Sequence, residues 1–313
     1  TSEVINFGTH DTVRFFSVRG PSVCVSQQKG CHLGRKIKGE RPLACKFCST
    51  GRYQEYEGNL SGAEIVHQVE TALRGMPDGA RSAPRLRVVF AGMGDSSYNP
   101  NGVIDAMKMM PAAFPQYTTD FVVASVAPPG KFDKLGQRIV KLYEKGALGP
   151  DNQVYFQLST HASNDKRAYL IPVSKNDKLE TTVRRVLAVH HQLDRYITPR
   201  PVEGYPDGRR VTLNYLMLGP KGNEFVGNAT GKDLQDMIDL VRKVGTNELI
   251  ARLSAFNPDN RDGSHSFQVV PKETFGHWNE VLTQNGIFVR EFESKGTDVR
   301  AGCGMLIGGA QAD

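Results

Sequence analysis

The chain alternates between two hydrophobic periods, and that alternation limits its fold more than any other feature. Short runs that are apolar at nearly every position recur as PSVCVS, RLRVVFAG, DFVVASV, QVYFQLST, RVTLNYLML and ELIARLSAF. Each is followed by a longer segment whose apolar residues fall at helical spacing, among them SGAEIVHQVETALRG, GVIDAMKMMPAAF, KFDKLGQRIVKLYEKG, DKLETTVRRVLAVHHQL, KDLQDMIDLVRKVG and PKETFGHWNEVLTQNG. IFVREFE closes the series. Strands apolar on both faces and separated by helices predict a parallel sheet covered by helices and connected right-handedly. Six such units predict an α/β fold, an open or partial (β/α)6 barrel, with chemistry at the C-terminal strand ends. The first helix is expected to start at Ser61, with Glu64 completing a capping box. Residues 1–20 read as a short N-terminal β extension of two extended pieces, VINFG and TVRFFSV, and residues 21–313 as the barrel. A polar linker is expected around residues 198–210.

Five cysteines stand out against this frame. Cys24, Cys31, Cys45 and Cys48 lie within 25 residues of one another, and Cys303 lies near the C-terminus. Three readings are open. A structural zinc site wants four thiolates, often as two CxxC knuckles, and only Cys45 and Cys48 make one. Disulfides are disfavoured by an odd count with no secretory leader in view. An iron–sulfur cluster held by Cys31, Cys45 and Cys48 would leave one iron open to a ligand and make Cys24 and Cys303 spare thiols.

The flanking residues resemble one family. CVSQQKGC, CKFCSTG and NLSGAEIVHQV, then VVFAGMGDSSYN, VASVAPPGKFDKLG, LSTHASNDKRAYLIPV, RVTLNYLML, LSAFNP and GTDVRAGCGML, resemble in order the motifs of the RlmN/Cfr family of radical S-adenosylmethionine (SAM) enzymes. The match runs from about Asp11 to about Leu306. It implies a radical-SAM partial barrel with a [4Fe-4S] cluster on Cys31, Cys45 and Cys48, and SAM chelating the open iron. The family methylates adenine in RNA, so the resemblance implies a C-methyltransferase acting on ribosomal or transfer RNA, served by an electron donor such as flavodoxin or ferredoxin. Two other readings stay open: the same fold acting on a small molecule, nucleoside or peptide, and a zinc-binding RNA protein built on Cys24, Cys31, Cys45 and Cys48.

The resemblance also implies roles for single residues. Gly94 and Asp95, in the glycine turn after VVFAG, would face the amino group of SAM, Asp95 standing where the family has Glu. Ser125, Ser159, Thr160 and His161 end the next two strands and would line the SAM pocket, and Asn257 in AFNP would contact the adenosine. Cys303 would take a methyl group and pass its carbon to the substrate, and Cys24 would release the product by forming a disulfide with Cys303. Counting back from Cys24 without gaps, Asp11 falls where the family carries a Glu as base. Several departures accompany the match. Thirteen residues separate Cys31 from Cys45 where the family has three, and Arg35, Lys36, Lys38 and Arg41 face only Glu40 there. Ala124, Val126 and Ala127 replace polar or glycine residues, and Asn214 stands where the family's strand reads Glu-Tyr. RNA-modifying members carry an RNA-binding domain ahead of the cysteine strand, and with twenty-three residues before Cys24 this chain is expected to lack it.

Charge adds a weaker constraint. A net charge of +6 and a pI near 9.0 suit a polyanionic partner and suit an ordinary basic enzyme equally well. No apolar run is long enough for a membrane span and none reads as a signal peptide, so a cytoplasmic enzyme without membrane contact is expected.

Overall fold

The computed structural model describes residues 2–17, 20–35, 43–162, 165–198, 200, 211–258, 267–292 and 305–306. In chain order the elements are β1 (Ser2–Asn6), β2 (Asp11–Ser17), β3 (Gly20–Val25), β4 (Gln28–Lys29), α1 (Ser49–Tyr53), β5 (Gly58–Asn59), α2 (Gly62–Arg74), α3 (Asp78–Arg81), β6 (Arg85–Phe90) and α4 (Pro100–Ala113). There follow β7 (Thr118–Ser125), α5 (Lys131–Glu144), β8 (Gln153–Ser159), α6 (Asp165–Leu170), α7 (Leu179–Leu193), β9 (Val211–Met217), α8 (Gly231–Val244), β10 (Leu249–Ala255), α9 (Lys272–Gln284) and β11 (Phe288–Phe292).

One sheet carries the fold, in the order β1-β2-β3-β6-β7-β8-β9-β10-β11. The seven strands from β3 to β11 run parallel, and the β1–β2 hairpin adds two antiparallel strands to the β3 edge. Among the described residues no ladder joins β1 to β11, so the barrel stays open. Six crossovers, each containing at least one helix, join consecutive parallel strands, as the alternation predicts.

The pleat sends alternate side chains to opposite faces. Leu86, Val88 and Phe90 of β6, Phe121 and Val123 of β7, and Val154, Phe156 and Leu158 of β8 point to the helical layer and are fully buried there. Their neighbours Arg87, Ala124, Tyr155 and Gln157 occupy the opposite, concave face. The helices turn apolar stripes inward; Ile65, Val69, Ala72 and Leu73 do so on α2. Ser61 caps that helix, its hydroxyl accepting the Glu64 amide while the Glu64 carboxylate accepts the Ser61 amide. Trp278 of α9 packs on Tyr215 of β9 and closes the far end of the core.

Two details differ from the sequence reading. The strand IFVREFE extends the parallel sheet to a seventh member, β11, paired with β10. The segment NDKRAYL, unassigned by periodicity, contains the short helix α6, whose six residues are too few to show a 3.6 period. No helix of the described residues is long and apolar enough to cross a membrane.

Candidate active site

The C-terminal ends of β3, β6, β7 and β8 are tied to one another by side chains that the sequence reading singles out. After β6 the turn Gly92-Met93-Gly94-Asp95 leans on the β3–β4 connection. The carbonyl of Met93 accepts from the amides of Gln27 (2.9 Å) and Gln28 (3.1 Å), and its amide donates to Ser26 Oγ (2.9 Å). This approach is closer than a side chain allows: a Cβ on Gly92 would stand 2.7 Å from the Val25 carbonyl, and one on Gly94, at φ +95°, 2.5 Å from Gln28 Cγ.

Asp95 then crosses to β7. Its Oδ1 accepts from the Ser97 amide (2.8 Å) and Ser125 Oγ (2.9 Å), and its Oδ2 from the Val126 amide (2.7 Å). Burial pushes its carboxyl up from the ordinary range and these bonds pull it back. Ser125 Oγ also contacts Ser97 Oγ at 2.7 Å and accepts from the Ala127 amide at 2.8 Å. The first of these contacts makes Ser97 part of the site, a residue that sequence reading passed over because a serine beside a serine carries no signal. Ala127 follows at φ +51° and His161 sits at φ +52°, the two non-glycine residues of left-handed conformation among those described. Such strain concentrates where a fold holds a ligand wall in place.

Ser159, Thr160 and His161 end β8 and are pinned to β9. The Asn214 carbonyl accepts from Thr160 Oγ1 (2.6 Å) and from the amides of Thr160 (3.0 Å) and His161 (3.2 Å). His161 Nδ1 accepts the Leu216 amide at 2.9 Å, which leaves the ring proton on Nε2, and the ring stands edge-on to Phe47 at 4.6 Å. Burial, with Arg167 adding to it, holds this imidazole down at about 3, so it is neutral at physiological pH. Unfolded histidine binds a proton below about 6.5 while the folded one refuses it, so the stability His161 gives is complete above that pH. It is lost progressively as pH falls toward about 3, by roughly 1.4 kcal/mol per unit. Urea unfolding at pH 7 and pH 5 is expected to show this fall, and His161→Gln is expected to flatten it.

Two of the three thiols, Cys31 and Cys45, lie on this wall, and Cys48 acts electrostatically on both. Cys31 precedes a short 3₁₀ turn at His32–Gly34, and Cys45 and Cys48 bracket a turn in which the Cys48 amide donates to the Cys45 carbonyl at 3.1 Å. Cys31, Cys45 and Phe47 pack against Leu33, Val126, Ala162, Leu170 and Leu216, that is, against the ends of β7, β8 and β9. The Lys46 amide donates to the Leu170 carbonyl at 3.0 Å, fastening the cysteine loop to α6. Burial pushes Cys31 up to about 12, with Cys48 adding to it, and burial with Cys48 and Cys31 pushes Cys45 well above the usual thiol range. The thirteen-residue separation is thus spanned in space, although Lys36, Lys38, Glu40 and Arg41 lie outside the described residues.

Cys24 and Asp11 occupy a neighbouring corner. Val13 of β2 pairs with Cys24 of β3, and Asp11, two residues along, shares their face. Asp11 is 4 % exposed, its Oδ1 accepting from Asn6 Nδ2 at 2.9 Å. Val13, Met93 and Leu306 form a small core with Cys24 packed against it, and Thr50 Oγ1 of α1 donates to the Leu306 carbonyl at 2.6 Å. Cys303 lies outside the described residues; Leu306 is three residues further on. Asn257 is half-buried two residues beyond the end of β10. Arg167 of α6, inside the matched stretch LSTHASNDKRAYLIPV but given no role there, is buried and acts electrostatically on Cys45.

Among the described residues no three of His, Cys, Asp or Glu converge closely enough to share a single metal ion. A zinc site on Cys24, Cys31, Cys45 and Cys48 is therefore not assembled. A cubane distributes its thiolates over separate irons and asks for a wider triangle.

No family model matches the chain. Curated relatives span nearly all of it. "Dual-specificity RNA methyltransferase RlmN" of Alcanivorax borkumensis is 26 % identical over 98 % of this chain and 69 % of its own length. The protein of the same name from Hyphomonas neptunium is 29 % identical over 91 % and 62 %. "Probable dual-specificity RNA methyltransferase RlmN" of Thermosipho melanesiensis is 27 % identical over 97 % and 74 %. The chain thus spans about two thirds of the length of these relatives. Among solved structures, a radical SAM methyltransferase from Sphaerobacter thermophilus superposes with a TM-score of 0.72 at 22 % identity, covering 95 % of this chain and 73 % of that one, which establishes the fold.

Proposed function

We propose that this chain, which belongs to the RlmN/Cfr family of radical SAM methyltransferases, adds a methyl group to an sp² ring carbon, that of adenine in ribosomal or transfer RNA. Membership implies SAM and a [4Fe-4S] cluster. The donor set fits the cluster: three half-buried thiols that repel one another as thiolates, two of them packed on an apolar wall, with a buried guanidinium whose Nε and Nη1 have no acceptor. A bound cluster would supply the one-electron chemistry that cleaves SAM, which the protein would orient and shield from water.

Cys31, Cys45 and Cys48 would hold the cluster. Gly94 would bring backbone close to the ligand, the Asp95 carboxylate would face the amino group of SAM, and Ser125, Ser159, Thr160, His161 and Asn257 would wall the rest. Because His161 stays neutral it can order the wall without repelling a sulfonium. Cys303 would accept the methyl and hand its carbon to the ring. That methyl would first lose a hydrogen atom to the radical derived from a second SAM, and Asp11 would take the ring proton. Cys24 would then attack the Cys303 sulfur, breaking its bond to carbon to free the product as the disulfide forms, the two electrons lost by the thiols being those consumed in cleaving the second SAM.

The observation that carries this reading is the packing of Leu306 against the β2–β3 corner that holds Cys24, which brings the segment following Cys303 to the strand with the second thiol. Mass spectrometry of the tryptic peptide after Arg300, on protein purified with its cluster and given SAM, is the test. Cys303 is expected to carry one methyl group. An unmodified Cys303 in cluster-loaded protein would overturn the methyl relay.

A further inference from the structure

We propose that Arg167 is the charge partner of the Cys45 thiolate and thereby sets the reduction potential of the cluster. The inference rests on the reading of Cys31, Cys45 and Cys48 as cluster ligands.

Arg167 is 3 % exposed. Its Nη2 donates to two neutral acceptors, the carbonyls of Val126 beyond β7 (3.2 Å) and Ser159 at the end of β8 (3.3 Å). Nε and Nη1 are buried and have no acceptor. A guanidinium does not surrender its proton in a protein, so this is a buried cation with unspent donors. The carboxylate that faces it most strongly, Asp177, is already bonded to Arg185 at 2.9 and 3.2 Å. His161 is neutral, and Asp95 is engaged by Ser97, Ser125 and Val126. Removing a charge from water without a partner costs several kcal/mol, and the arrangement makes sense where an anion joins it.

The anion is the cluster-bound thiolate. Arg167 sits on the helix whose last residue, Leu170, accepts the Lys46 amide. Cys45 adjoins Lys46, and the charges of Cys45 and Arg167 act on each other. When the three thiols deprotonate to bind iron, negative charge accumulates beside Arg167, the buried cation that acts on Cys45. One electron from an external one-electron reductant, dithionite in the experiment, adds one more negative charge to the cluster, and no bond forms or breaks. A fixed cation alongside favours that reduced state.

The test uses cluster-loaded wild type, R167M, R167Q and R167K, with midpoint potentials from a dithionite titration followed by cluster absorbance and SAM affinity measured in parallel. R167M and R167Q are expected to shift the reduced-to-oxidised ratio at fixed ambient potential at least tenfold toward oxidised, which for one electron is about 59 mV more negative. R167K is expected to restore most of it. An unchanged potential in R167M overturns the proposal. If the potential holds while SAM affinity falls, the guanidinium serves the carboxylate of SAM instead. Should R167M and R167Q take up no iron, a wild-type-like apoprotein melt together with iron uptake by R167K supports the charge role. Equal loss of iron or of fold in all three variants reduces Arg167 to a strand tie and overturns it. Wild-type protein that takes up no iron would refute the cluster reading itself, a result separate from any difference among the variants.

Discussion

Cys45→Ser is expected to leave less than a tenth of the wild-type iron per chain, no cluster absorbance and no detectable methyl transfer, while the unfolding transition of the apoprotein stays close to wild type. The reason lies in where the thiol sits. Cys45 is pressed against the ends of β7, β8 and β9, burial raises its proton affinity, and a bound metal ion draws the proton off. Serine holds its proton more tightly still and is a poor ligand for iron. The sheet does not depend on this loop for its core, since the large buried side chains Phe90, Phe121, Phe156, Tyr215 and Trp278 belong to the helical face. Cys24→Ser is the companion variant, expected to keep its iron because Cys24 packs in the β2–β3 corner with Val13, Met93 and Leu306. Iron analysis and absorption spectra check both. Full iron in Cys45→Ser, or its loss in Cys24→Ser, would redraw the ligand set.

A change at Gly30 should be nearly as severe for a different reason. Gly30 adopts φ +76°, and a Cβ there would stand 2.2 Å from the Glu55 carbonyl oxygen and 2.9 Å from its carbon. The β4–β5 pair and the bond from the Glu57 amide to the Lys29 carbonyl (2.9 Å) hold those backbones together, so neither can step aside cheaply. Gly30→Ala is expected to cost about 3 kcal/mol or more, combining left-handed strain with a backbone collision. It should also lower iron uptake, because Cys31 is the next residue. Gly8 provides the control: its φ is +83° but a Cβ there meets nothing within 4 Å, so Gly8→Ala should lose only about 1 kcal/mol. Urea midpoints of the two variants separate the collision from the strain. Equal losses would mean that the approach of Gly30 to Glu55 constrains nothing.

Much of this was legible in the sequence. Strands that are apolar throughout, each followed by a helical stripe, gave the parallel sheet, and the Ser61–Glu64 pair marked its helix start correctly. The cysteines were legible as a chemical type. Their convergence was not, because it depends on bonds between distant segments, such as Lys46 to Leu170 and Phe47 against His161. Asp95 was read as facing SAM, while its internal bonds to Ser125 and Val126 follow from the neighbouring placement of β6 and β7, which no local pattern encodes. Arg167 was invisible for a similar reason. An arginine in a polar stretch reads as solvated until two strand ends some thirty residues apart close over it.

The bond from Thr50 to Leu306 spans 256 residues of sequence. During synthesis the sheet can grow strand by strand from its hairpin, each crossover packing on the one before. The corner at Cys24 stays unfinished until the ribosome has delivered Leu306, so a nascent chain with most of its barrel built still lacks the piece that closes this corner. In the proposed reaction, the wall beside the second thiol is therefore among the later parts of the site to be put in place.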